Sequence, residues 1–189
     1  MGTRNLICVV LDKEYKIAQY GQWDGYPDGQ GQTVLDFILN EMDIKMFKKK
    51  LRKLRWITHE DIDNINREHS EDWDEFYPHL YRNMGANILR SVQERDIKFL
   101  KNSLDFAKDS LFCEFAYVID LDKKILEVYT GFNHFPLSKK ERFYFGGEVK
   151  ESPSGKYYPI KLYKKYKFSE LHASVMHILQ SEMNEEEEE

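Results

Sequence analysis

The residues whose types and spacing suit chemistry lie close to the amino end. Thr3, Arg4 and Asn5 open an apolar run, Gln22 and Asp24 close the next β-like segment, and Gly25-Tyr26-Pro27-Asp28-Gly29-Gln30-Gly31 follows at once. Segments 5–12 and 15–23 read as a hairpin, because the connection between them leaves room for nothing longer. A two-residue loop at Lys13-Glu14 sets Asn5 opposite Gln22 and Thr3 opposite Asp24; a three-residue loop sets Arg4 opposite Gln22. In either register Thr3, Arg4, Asn5, Gln22 and Asp24 converge at the open end of the hairpin, beside the glycines. A guanidinium, a carboxylate, a hydroxyl and several amides, next to a glycine loop that feeds a helix, suit a small anionic ligand held by charge-assisted hydrogen bonds. A nucleotide-like or phosphorylated compound fits that chemistry. The expected ligand-binding set is therefore Thr3, Arg4, Asn5, Gln22, Asp24, Gly25, Tyr26, Gly29 and Gly31. The competing structural reading makes Arg4 and Asp24 an ion pair and the glycine segment ordinary turn chemistry.

Other chemistries find less support. The glycines match neither the phosphate-loop motif nor the dinucleotide fingerprint. Asp24, Asp28, Gln30 and Asp36 lack the EF-hand pattern and its terminal glutamate. The six histidines, at 59, 69, 79, 134, 172 and 177, form no His-Glu-x-x-His, and no paired cysteines accompany them, so no metal site is expected. His69-Ser-Glu71 has the local form of a deaminase motif without the cysteines that hold its zinc. Thr3 stands where an amino-terminal nucleophile hydrolase places its nucleophile, but its own α-amine must act as base, which requires removal of Met1 and Gly2. Glu114 and Asp120 share a strand face and serve as acids if that face lines a cleft; a solvent-facing edge is the plainer expectation.

Seven Lys or Arg and no acid lie between 44 and 56, whereas 59–76 carries eight acids against Arg67. Packed together, the two segments neutralise one another, and no aromatics interleave with the lysines as stacking on nucleic acid requires. Nucleic acid is not an expected partner. A docking role for the basic helix, or for exposed aromatics of 132–145, remains the alternative, as an interaction module.

The 189 residues are 41% hydrophobic, with 12 Phe, 12 Tyr and 3 Trp, enough apolar surface for one folded domain. Leu6 to Leu11 is too short for a membrane span or a signal-peptide core. Cys8 and Cys113 sit in apolar runs as small hydrophobes, and the expected location is a reducing cytoplasm.

The elements that must position the candidate site follow from periodicity. Residues 5–12 read as an internal strand covered on both faces. Gly25 to Gly31 reads as a loop, with Thr33 capping a first helix. Ile44, Phe47, Leu51 and Leu54 mark one face of a second helix, Thr58-His-Glu-Asp the start of a third, and Ser70 to Leu80 another bent at Pro78. Residues 88–107 read as one long helix or two. Phe112 to Asp122 and Ile125 to Gly131 form the clearest hairpin, 132–156 a long connection, Tyr158 to Phe168 a last strand, and Ser169 caps a helix through Leu179. The expectation is one α+β domain over 1–183. Two hairpins and the late strand form a mainly antiparallel sheet, with a helical insertion at about 33–109 between the hairpins and a disordered acidic tail over 184–189.

The opening Gly2-Thr-Arg-Asn-Leu6 and the stretch Gln22-Trp-Asp-Gly-Tyr-Pro-Asp-Gly-Gln-Gly31 resemble the amino-terminal signature of a family of uncharacterised bacterial and phage proteins. Cys113-Glu-Phe-Ala-Tyr-Val-Ile-Asp-Leu-Asp122 and Leu126-Glu-Val-Tyr-Thr-Gly-Phe132 are similar to that family as well. The resemblance implies a prokaryotic or viral setting, with a host cytoplasm for a phage protein, and in that setting the alternative interaction module is a phage factor acting on a host component through the basic helix. It brings no activity and no residue roles, and neither a cofactor nor an oligomeric state is specified.

Overall fold

The computed structural model describes residues 2–68 and 73–188. Strand β1 (Asn5–Leu11) is buried along its whole length, as its unbroken apolar sequence predicts. It pairs antiparallel with β2 (Glu14–Gly21). The turn is Asp12-Lys13 rather than Lys13-Glu14, and both residues hold left-handed backbone, φ 56° and 63°, the geometry of a type I′ hairpin. A bulge between Val9 and Val10 then shifts the register, so that Asn5 faces Gly21. That open-end register is the one expected of a three-residue loop, reached by a two-residue turn and a bulge.

The second hairpin joins β5 (Phe115–Asp120) to β6 (Ile125–Thr130), and β9 (Lys161–Lys167) extends the sheet in the order β2-β1-β5-β6-β9. Three of these neighbouring pairs are antiparallel; β1 and β5 run parallel. The sheet is thus mixed at its centre, because the chain leaves β1–β2 through a helical crossover before entering β5.

The glycine segment is not a free loop. A continuous helical run, α1 (27–41), begins at Pro27 and opens and closes in wider π turns. Pro27 supplies the preset φ favoured at a helix start. Thr33 therefore lies inside the helix and caps nothing at its start. α2 (Ile44–Leu51) is capped by Asp43, whose carboxylate accepts from the Lys45 and Met46 amides at 3.0 and 2.9 Å. β3 (Arg55–Trp56) pairs with β4 (Phe99–Leu100), and β4 falls within the stretch 88–107 expected to form one long helix or two; α5 spans only Asn87–Glu94. Between them, α3 (His59–Glu68) starts on a reciprocal Thr58–Asp61 cap, and α4 (Trp73–Phe76) ends before Pro78. The expected start at Ser70 lies outside the described residues. β7 (Lys150–Ser152) and β8 (Gly155–Tyr157) form a small hairpin within the connection of 132–156. α6 (Val175–Glu188) runs well past Leu179 and takes up most of the acidic tail expected to be disordered.

Two apolar layers enclose the sheet. Ile7, Val9, Leu11, Tyr117, Ile119, Leu126 and Val128 pack against α1, α2, α5 and α6 through residues such as Leu35, Phe47, Leu89 and Leu179. Leu6, Cys8, Val10, Ala116 and Val118 face Ala107, Phe143 and Ile160 on the other side. The connection after β6 therefore acts as a second cover on the sheet.

Candidate functional site

At the open end of the first hairpin the expected residues do meet, but most of them hold the chain together. The Gly25 amide donates to the Thr3 carbonyl at 2.9 Å, and Thr3 is buried. Asn5 is fully buried and its Nδ2 donates to the Trp23 carbonyl at 3.1 Å. Gln22 accepts the Tyr20 hydroxyl at 2.6 Å. Asp24 turns the chain with φ 59°, and its carbonyl accepts the Gln30 amide at 2.8 Å. The Gly29 and Gly31 amides donate to the Tyr26 carbonyl at 3.0 and 3.2 Å. The amides of Gly29, Gln30 and Gly31 thus close the segment on itself, and that of Gly25 ties it to Thr3, rather than facing a phosphate.

Gly29 and Gly31 are glycines because of close approach. A Cβ on Gly29 would collide with the Asp24 carbonyl oxygen, and one on Gly31 would lie 2.9 Å from the ring of Tyr117. Tyr117 is fully buried and anchors the segment by donating its hydroxyl to the Gly25 carbonyl at 2.8 Å. Arg4 pairs with Glu114 and not with Asp24. Its amide donates to Glu114 Oε1 at 3.1 Å, its Nε lies 3.8 Å from the same oxygen, and its guanidinium sits 4.5 Å from the centre of the Phe112 ring. The buried Arg4 Nε has no hydrogen-bond partner.

Beside this junction a cleft of about 520 Å³ opens, lined by Tyr26, Glu114, Phe115, Thr130, Gly131, Phe132, Tyr163, Met183 and Glu186. Its volume lies within the range of small-molecule sites, roughly 300–1,000 Å³. The start of β5, the end of β6, β9 and α6 each contribute a wall, and Tyr26 brings in the start of α1. The Tyr26 and Phe115 rings stand 5.7 Å apart, tilted by 55°. The Tyr163 hydroxyl donates to Glu186 Oε2 at 3.1 Å. Of the nine expected ligand-binding residues, Tyr26 alone lines this cleft. Glu114 was legible as a candidate acid, and Phe132 opens the aromatic stretch 132–145 expected only as a docking surface; Tyr163, Met183 and Glu186 carry no local signal, because they meet only when β6, β9 and α6 assemble.

The opposite end of β5 holds a second polar cluster. Asp120, far from a solvent-facing edge, is almost wholly buried, because β5 is central and the connection after β6 covers it. Arg142 from that connection donates to Asp120 Oδ2 at 2.7 Å and to Glu127 Oε2 at 2.5 Å, while the Tyr129 hydroxyl donates to Glu127 at 3.0 Å. Burial pushes the Asp120 carboxyl up, but the Lys123 amide and Arg142 outweigh it and hold it below the ordinary carboxylate value. Burial raises Tyr15, which neighbours Arg142, to about 12. The arrangement clips the covering connection to the sheet.

The basic helix is compensated from several directions rather than by the acidic segment as a whole. Arg52 pairs with Asp12, Lys50 with Asp96, and Arg55 with Asp61 of α3. Groups of His, Cys, Asp and Glu able to hold a metal are absent among the described residues. No helix among them is long and apolar enough to cross a membrane. Comparison with protein-family models, with curated proteins and with solved structures returns no match.

Proposed function

We propose that this protein binds a small organic molecule in the cleft between β5, β6, β9 and α6, within the cytoplasm of a bacterium or a phage-infected cell. The observation that carries the reading is the cleft itself: four aromatic side chains and two carboxylates converge from five separate parts of the chain. Buried apolar walls with a few oriented polar groups are the usual make-up of a small-molecule site. The cleft opens at the same end of the sheet as Thr3, Arg4 and Asn5, and of the expected set Tyr26 alone lines it. The setting rests on the motif resemblance alone.

A nucleotide-like ligand remains compatible through its base, which stacks on aromatic rings. Its phosphate is less well served, since among the described residues no Lys, Arg or His lines the cleft. An amide hydrolase at Thr3 is not favoured, because that residue is buried under Gly25. The test is a thermal-shift panel of nucleotides, amines and aromatic metabolites on the wild type and on Phe132→Ala, which removes an exposed ring at the mouth. Stabilisation by a panel member that Phe132→Ala abolishes supports the reading; a profile identical in the two proteins refutes it.

One observation favours a second reading, an acidic protein partner docking on α2. Lys45, Lys48, Lys49 and Lys53 have no ion-pair partner among the described residues. Charge reversal at Lys48 and Lys49 would then abolish capture of that partner while leaving the thermal-shift profile unchanged.

A further inference from the structure

We infer that the ligand of this cleft is an organic cation, a quaternary or protonated amine carried on an apolar body. This rests on the reading of the cleft as a small-molecule site and adds the chemical class. Three features of the lining point the same way.

The first is the aromatic wall. Tyr26, Phe115, Phe132 and Tyr163 line the cleft together with Met183. Tyr26 and Phe115 form a corner of two tilted rings rather than a stacked pair. Ring faces carry negative quadrupole potential, so several rings around one cavity attract a cation whose hydration shell is easily removed.

The second is charge. Glu114 and Glu186 are the charged residues of the lining, and both are acidic. Arg4 offsets Glu114 in part, but its guanidinium is turned onto Phe112, outside the lining. Glu186 is oriented by the Tyr163 hydroxyl, a neutral donor that leaves its charge in place. On the same helix Glu182 is paired with Lys164. The lining thus carries two carboxylates and, among the described residues, no Lys, Arg or His, a charge that attracts cations and repels phosphates.

The third is preorganisation. Phe132 holds a left-handed backbone, φ 50°, which a side-chain-bearing residue adopts only at a steric cost, and its ring is 55% exposed. The conformation is held by the Phe132 amide donating to the Ser110 carbonyl at 2.7 Å and by the Asn133 amide donating to Ser110 Oγ at 3.2 Å. The backbone that carries this ring to the cleft mouth is thus set before any ligand arrives, which lowers the ordering cost of binding.

The experiment titrates the full chain calorimetrically with choline, with 3,3-dimethyl-1-butanol, its uncharged isostere, and with adenosine monophosphate as an anionic probe. Choline is expected to bind at least about tenfold more tightly than the isostere, with no measurable binding of the anion. Glu114→Gln and Glu186→Gln should each weaken choline severalfold and leave the isostere unchanged, while Phe132→Ala weakens both. Absence of saturable choline binding overturns the inference, as does equal or tighter binding of the isostere or the anion. If either of those probes binds and Phe132→Ala abolishes it, the small-molecule reading survives without the cation. If no probe binds and the wider panel is blind to Phe132→Ala, that reading falls as well.

Discussion

Replacing Arg142 by Met keeps the aliphatic stem and removes the charged head from between two buried carboxylates. In the wild type the side chains of Arg142, Asp120 and Glu127 are 14%, 3% and 9% exposed, so little water is at hand to take over when the guanidinium is lost. Breaking a buried ion pair from one side costs about 3–5 kcal/mol, because the remaining charge stays uncompensated. With a urea slope of about 2 kcal/mol per molar for a domain of this size, the midpoint should fall by roughly 2 M. Restoring neutrality in the triple variant Arg142→Met, Asp120→Asn, Glu127→Gln should recover most of that loss, since a neutral replacement removes the stranded charge. The pH dependence has a definite sign. Asp120 is held below its ordinary value in the folded wild type, so its contribution is full above that ordinary value and is lost as pH falls through the folded one. In Arg142→Met burial dominates instead and raises the carboxyl, so acid relieves the variant. The stability gap should therefore shrink between about pH 7 and about pH 4. Urea denaturation by circular dichroism across that range measures it. A loss below about 1 kcal/mol, or a gap independent of pH, would refute the account of Arg142 as the clip over the sheet.

Burial lowers His79 to about 4, so it folds neutral; stability should decline as pH falls from its ordinary value of 6.5 toward that point, and His79→Gln should flatten the melting temperature over this window. Gly131→Ala should destabilise by about 2 kcal/mol or more in chemical denaturation, because its Cβ would meet the Cys113 and Ser110 carbonyl oxygens, backbone atoms that cannot swing aside. Lys13→Gly should act in the opposite sense, raising stability by up to about 1 kcal/mol as it relieves the left-handed turn, with the urea midpoint as readout. Asp122→Ala should cost about 1 kcal/mol, since its two oxygens accept the Asp12 and Lys13 amides at 2.9 and 2.8 Å and tie the hairpin tips together.

What the amino-acid order determined on its own was local. Unbroken apolar sequence made β1 an interior strand, alternation marked β5 and β6, and Thr58 with Asp61 started α3, because each of these signals comes from residues a few positions apart. The glycine segment misled for a physical reason. Three glycines and a proline imply an open loop by conformational freedom, yet Gly29 and Gly31 are required by close contact with Asp24 and Tyr117, and Pro27 starts a helix. The Asp12-Lys13 turn was obscured because neither residue is the glycine or asparagine that usually marks positive φ. Long-range pairing decided the rest. The parallel union of β1 with β5 sets the two hairpins side by side, and that union brings Glu114 to Arg4 and carries Asp120 into the interior. The cleft exists only because β6, β9 and α6 then close on the same sheet end, a coincidence of surfaces separated by scores of residues that no short-range pattern encodes.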